Sequence, residues 1–247
     1  MKWSSLLIGF ALLLCTWSPR ASDVPDPAAD RVLKASGFLD GHPDLRYRLL
    51  GLEEYGNRNL SEAFGLFERA ALYADKPSQA IVGEMYWVGA GTEQNRALGY
   101  VWMSLAAERG YHTFSKKRDT YWRALTEDER KSASLSAPAL KERYGDAAAE
   151  QRLASALRRG RSQMTGSRLG SQASSVQIVI PGHGSIEGSR FYDSKFWNPE
   201  EYRAWHDAYW MDLRFGQVDL GSLQQVKEGE GVGTEPPATN DPLGTED

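Results

Sequence analysis

Ala80-Ile81-Val82-Gly83-Glu84-Met85-Tyr86-Trp87-Val88-Gly89-Ala90-Gly91, continued by Ala97, Trp102, Ala106, Ala107 and Gly110, is the stretch on which the fold turns. Ile81, Met85 and Val88 recur at helical spacing and lay one apolar stripe on one face. Gly89 and Gly91 permit the positive φ angles of a tight interhelix turn. Gly110 stands where a helix ends in a left-handed residue. Gly83, Ala106 and Ala107 present almost no side chain, so two helix axes can approach closely. The stretch therefore predicts two helices packed as a pair.

Working outward, Ala63-Phe64-Gly65-Leu66-Phe67-Glu68-Arg69-Ala70-Ala71 matches Gly99-Tyr100-Val101-Trp102-Met103-Ser104-Leu105-Ala106-Ala107, thirty-six residues later. Leu50, Gly51 and Tyr55 roughly answer Val82, Gly83 and Tyr86, with a shorter loop in the first copy. A fixed period of this size points to stacked helix pairs. Helix starts are marked by Asn59 before Glu62, by Thr126 before Glu129, and by Asp75 with Pro77 in the first turn.

The second copy resembles the Sel-one-like repeat, a relative of the tetratricopeptide repeat. It carries a small-residue helix with Ala80 and Gly83, then Tyr86, the turn Gly89-Ala90-Gly91, and Ala97 and Trp102 before Ala106, Ala107 and Gly110. The resemblance covers about residues 45 to 112. The first copy departs from the pattern: it lacks the Gly-x-Gly turn, has Leu66 in place of the tryptophan, and has Ala74 or Asp75 where a glycine is expected. The resemblance implies an all-α short solenoid whose concave face holds a protein or peptide, and in bacteria an exported adaptor. Because about three repeats are needed for a stable stack, the flanks must complete the core. Tyr121, Trp122 and Leu125 suit a further packing helix, and Leu140, Tyr144, Leu153 and Leu157 a terminal cap.

The ends read differently. Lys2, the apolar run Leu6 to Leu14, and Trp17, Ser18 and Pro19 before Ala21 and Ser22 have the order of a secretory signal peptide over residues 1–22. The run is too short for a membrane span, which needs roughly 20 apolar residues. Cys15 follows Leu14, where a lipid-attachment box takes Gly, Ala or Ser, so it reads as one more apolar residue of the signal. It is the only cysteine, so a cleaved chain has neither disulfides nor thiolate chemistry. Cleavage also removes Lys2 and Arg20 and no acid, lowering by two a net charge that is already −4. That balance is a poor footing for nucleic-acid binding, which relies on clustered Lys and Arg.

The remaining expectations are a flexible leader at 23–30, a helical-repeat domain at 31–159, and a Gly- and Ser-rich linker at 160–175. An aromatic appendage follows at 176–227, with one strand at Val176–Ile180 and an Asn198-capped helix running toward Phe215. Residues 228–247 read as a disordered acidic tail. Phe191, Tyr192, Phe196, Trp197, Tyr202, Trp205, Tyr209, Trp210 and Phe215 concentrate in the appendage. Such rings either fold back into a core or form a binding platform; the first is favoured, since a large exposed aromatic patch is a liability.

Catalytic patterns are weak. Pro181-Gly182-His183-Gly184 after a strand is similar to a metal-ligand loop of the metallo-β-lactamase superfamily. That family also needs an upstream His-x-His-x-Asp-His cluster, and the chain has only His42, His112, His183 and His206, far apart. His183 therefore reads as a turn residue. There is no Gly-x-Ser-x-Gly elbow and no Walker loop. Arg158, Arg159 and Arg161 read as offsetting the negative pole of a helix end.

The sequence thus predicts a non-enzymatic binding scaffold of the cell envelope, periplasmic or secreted, with no cofactor or metal and a protein or peptide partner met through Tyr86, Trp87, Tyr100 and Trp102. Its rival is a peptidoglycan or glycan binder or hydrolase that uses the aromatic segment together with Asp193, Glu200 or Glu201.

Overall fold

The computed structural model describes residues 27–35, 37–165, 177–180, 182 and 184–212. The expected signal, the first four leader residues, linker positions 166–175, Val176, His183, Phe215 and the acidic tail lie outside the described residues.

The architecture is a short α-solenoid of stacked helix pairs with a small strand-and-helix appendage. Helices α1 (Pro43–Gly56) and α2 (Leu60–Ala71) form the first pair, and α3 (Lys76–Val88) and α4 (Arg96–Ala106) the second. They are followed by α5 (His112–Ala124), α6 (Glu127–Tyr144) and α7 (Asp146–Thr165). The appendage comprises β1 (Gln177–Ile180), β2 (Gly184–Glu187), the one-turn helices α8 (Gly188–Phe191) and α9 (Ser194–Trp197), and α10 (Pro199–Asp212).

The α3/α4 contact rests on missing side chains. A Cβ on Gly83 would lie 3.0 Å from both Gly99 O and Met103 N, and one on Gly99 would lie 2.9 Å from Gly83 O. The two backbones touch, and a Cβ at either position would press them apart. Between the helices Gly89 and Gly91 take the expected positive φ angles of 77° and 71°. Ala63, Phe67, Ala71, Val82, Met85 and Trp102 fill the resulting core, and Tyr144 of α6 closes it.

Helix starts follow the expected chemistry with one exception. Asp75 accepts from Ser78 N–H, and Thr126 and Glu129 form a reciprocal capping box. Asn198 accepts from the Glu200 and Glu201 N–H groups. Asn59 makes no cap; its amide instead donates to Glu54 across the interhelix turn at 2.6 Å.

Three boundary expectations are corrected. The leader's last residues are packed: Pro27–Ala29 is a 3-10 turn with Pro27 buried, and Asp30 caps the next turn, Arg31–Lys34. Residues 160–165, expected in the linker, continue α7. Gly160, expected to open the linker, is needed there because a Cβ would lie 2.4 Å from Gly41 Cα and 3.1 Å from the Trp197 ring. Finally, the single expected strand is half of an antiparallel hairpin in which Gln177 pairs with Glu187 and Ile180 with Gly184. The partner strand was hidden because Gly184-Ser185-Ile186-Glu187 has little β-favouring composition.

A second core joins the chain's two ends. Val32, Leu33 and Phe38 from the N-terminal turns meet Leu45 of α1, Leu153 and Leu157 of α7, and Phe191, Phe196, Trp197 and Tyr202 of the appendage. Phe38 is its hub, edge-on to Phe191, Phe196 and Trp197 with centroids 5.4–5.7 Å apart. The aromatic segment therefore folds back, as its composition favoured, though onto the N-terminal turns, α1 and α7 rather than onto the repeat pairs alone.

Candidate functional site

The four aromatics expected to form one contact face are divided between two cores. Trp102 is 1% exposed and packs on Tyr144 at 4.5 Å, so it is a core residue and is unavailable to a partner. Tyr86 is half-buried against Phe64 and borders a shallow hollow with Gln94 and Asn95. Trp87 is held from both sides, stacked on Tyr121 at 3.7 Å with the Arg96 guanidinium 4.5 Å from its ring. Tyr100 tilts against Trp122 of α5 at 5.0 Å. Tyr86, Trp87 and Tyr100 keep partial exposure, and the hollow beside Tyr86 does not reach Trp87 or Tyr100.

The deeper site lies where the second repeat meets α1, α7 and α10. A cavity of about 260 Å³ opens there. Its charged walls come from helix ends. Asp75, the α3 cap, pairs at 2.9 Å with Arg48 of α1, both almost fully buried. Lys76, equally buried, reaches Asp146 at 2.8 Å, Glu108 at 3.1 Å and the Leu105 carbonyl at 2.8 Å. Arg109 binds Asp146 through two nitrogens and also reaches Glu150 and Asp207 at 3.2 Å. Burial opposes the Arg109 charge, but hydrogen bonding to Asp146 and its charge outweigh this and raise the guanidinium pKa. The Asp146 carboxyl is held down against its own burial by Arg109 and Lys76.

Every cation of this network already faces carboxylates, whereas two buried polar atoms have no partner. Asp44 is 2% exposed; its Oδ2 accepts from the Tyr202 hydroxyl at 2.6 Å, but its Oδ1 is unpaired. Burial, reinforced by the nearby Asp75 charge and opposed by the Tyr202 hydrogen bond, pushes its pKa up to about 7. His206 is 7% exposed, packs on the Tyr202 ring at 4.5 Å, and leaves Nε2 unpaired. Burial, with the Arg48 and Arg109 charges, keeps its imidazole neutral well below the usual range. A buried polar atom left without a partner costs about 1–3 kcal/mol, and both of these atoms are shielded from solvent.

Sequence reasoning found Asp75 only as a cap and Glu200 only as a candidate acid, and it missed Asp44, Arg48, Lys76 and Arg109. These look like surface residues in sequence, because their partners lie on other elements. The glycan alternative loses four of its nine rings: Phe191, Phe196, Trp197 and Tyr202 are core. Its proposed acids are also dispersed, with Asp193 capping Lys195 N–H, Glu201 bonded to Ser194, and Glu200 at the cavity. Among the described residues no group of three or more His, Cys, Asp and Glu could hold a metal ion. No described helix is long and apolar enough to cross a membrane.

Residues 47–72 and 76–111 match the family model of the Sel1 repeat. No curated protein and no solved structure matches the chain. The degraded first copy is thus a repeat in its own right, and Lys76, Arg109 and Tyr111 of the cavity belong to the second.

Proposed function

From a chain that carries two Sel1 repeats, helical units that commonly mediate protein–protein interaction, we propose a non-enzymatic scaffold of the bacterial cell envelope that holds a protein or peptide partner. The cavity between the second repeat and α10 carries this reading. It is walled by Lys76, Arg109 and Tyr111 of the repeat itself together with residues of α1, α7 and α10. A partner segment entering there would pack against that wall, while the half-exposed Tyr86, Trp87 and Tyr100 supply additional area.

The envelope location rests on the signal-like residues 1–22. Export is checked by fractionation with mass analysis of the recovered chain, which is expected to begin near Ser22.

The binding reading is tested by placing a photo-crosslinking residue at Ala154 or Glu200 on the cavity wall and, as a control, at Leu135, which is 75% exposed on α6. Saturable crosslinks to the same partner from the two cavity positions and not from 135 are expected. Equal labelling from all three, or none from the cavity, would overturn the proposal.

A further inference from the structure

The cavity beside α10 is too small for a bulky ligand and has too few free charges for an ionic one. Its volume of about 260 Å³ lies below the roughly 300–1,000 Å³ of pockets that enclose a drug-sized ligand. One side chain fills it. The ions on its walls are engaged with one another or with close neighbours: Asp75 with Arg48, Lys76 with Glu108 and Asp146, and Glu150 with Arg109 and Arg203. A charged group entering among them has to displace a partner. The unpaired atoms of Asp44 and His206 are shielded from solvent and take no part.

What stays open on the walls is apolar. Tyr73, Pro77, Ala154, Pro199 and Trp210 line the cavity and keep partial exposure, so a guest meets them without disturbing the buried pairs. Ala74 is a second, independent sign. It lines the same cavity with φ 64°, in the left-handed region that favours glycine, and is 5% exposed. Its counterpart thirty-six residues later is Gly110, with φ 77°. The first repeat therefore carries a methyl group where the backbone disfavours one, and does so at the cavity wall. Beyond the apolar walls, Glu200 is exposed at the rim and makes no ion pair among the described residues.

We infer that the cavity receives a neutral aromatic side chain of a peptide partner, packed on Tyr73 and Trp210, while a basic neighbour in the peptide meets Glu200 at the rim. Ring pairs attract beyond the area they bury, which favours an aromatic guest over an aliphatic one of similar size. The inference rests on the scaffold reading and narrows it from a contact surface to one anchoring residue, the form in which most interface energy is concentrated.

The test is ligand-observed NMR titration of the full chain with the capped tetrapeptide Gly-Phe-Lys-Gly, with versions carrying Leu, Ala, Glu or Lys in place of Phe, and with benzyl alcohol. The Phe peptide is expected to bind saturably and about tenfold or more tighter than the Ala version, with Leu between them. The Glu and Lys versions should bind no tighter than Ala. Ala154→Trp, which fills the cavity from α7, should abolish the Phe preference. Ala74→Gly serves where that variant fails to fold, because its turn already has the geometry of glycine; it should reduce the Phe preference a few-fold. Glu200→Gln should weaken the Phe peptide a few-fold through its Lys and leave the ring preference in place. Equal binding of the Phe and Ala versions, tighter binding of the Glu or Lys version, or a Phe preference that survives both cavity variants would overturn the inference. Benzyl alcohol binding as tightly as the Phe peptide would overturn the peptide source and assign the cavity to a free aromatic molecule. Cavity crosslinks that persist without a Phe preference would sink this inference alone. A Phe preference without position-dependent crosslinks supports the side-chain site and sinks the scaffold reading alone.

Discussion

The repeat core and the closing core solve the same problem by different means. Around α2, α3 and α4, packing runs between residues close in sequence, from Ala63 to Trp102, and depends on small side chains and direct backbone contact at Gly83 and Gly99. The closing core and the polar junction beside it join residues 32 to 207, and they use rings and directional bonds. His42 sets its two ring nitrogens 2.8 Å from Phe38 O and 2.7 Å from Phe196 O, its neutral ring donating to one of them, and Arg48 grips Asp75. Local helix pairs are positioned by turn geometry and need only room to approach. Distant segments lack that guidance, and here they meet through groups whose geometry admits few alternatives.

The contrast is sharpest at the junction. Arg48→Ala leaves Asp75 buried beside Asp44 without its cation, a class of change that costs about 3–5 kcal/mol. Chemical denaturation is expected to show a loss of that size, and a loss under about 1 kcal/mol would mean the ion pair does not hold the junction. On the repeat side, Gly83→Ala forces a Cβ against two backbone atoms at 3.0 Å, for an overpacking cost of about 1–3 kcal/mol. The same measurement applies; a neutral result would show that α3 and α4 can part without penalty.

The pH dependence separates the titrating groups of the closing side. The His42 pKa falls from 6.5 to about 4, so the stability its neutral ring contributes is complete above pH 6.5 and is lost as pH falls through about 4. Asp44 has the opposite sign: its pKa rises from 3.8 to about 7, so its contribution is complete below 3.8 and is lost as pH rises through about 7. The two slopes oppose between about pH 4 and 6.5. Asp44→Asn should expose the histidine slope, giving a melting temperature that climbs more steeply with pH across that window than in the parent chain. Superimposable melting profiles would remove Asp44 from the balance. The smallest effect belongs to a single cap outside either core: Thr126→Ala loses the observed capping box of α6 and should cost about 1 kcal/mol.

The same contrast explains what was legible in the sequence. The α3–turn–α4 unit could be read because each signal is local: the stripe of Ile81, Met85 and Val88, the glycine turn, and the small residues at the contact. Thr126 with Glu129, and Asn198, were readable for the same reason. The site was not, because Arg48, Asp75 and Lys76 find their meaning in partners up to seventy residues away. Trp102 was placed among contact residues because an aromatic at that repeat position does not announce which way it faces. Gly160 misled most directly, since composition marks a linker while the structure uses it to let Gly41 and Trp197 reach the helix.

The His42 bridge to Phe196 spans 154 positions of sequence, and that separation sets an order of assembly. The repeat core has all its members once Tyr144 has been made, whereas the clasp at Phe38 and His42 must wait for Phe196 and Trp197. Contacts so far apart in sequence close slowly because the intervening chain must first be brought together. During synthesis Phe38 therefore lacks its Phe191, Phe196 and Trp197 contacts until the last helices emerge, with the local stacking on His42 at 3.9 Å among the contacts already available.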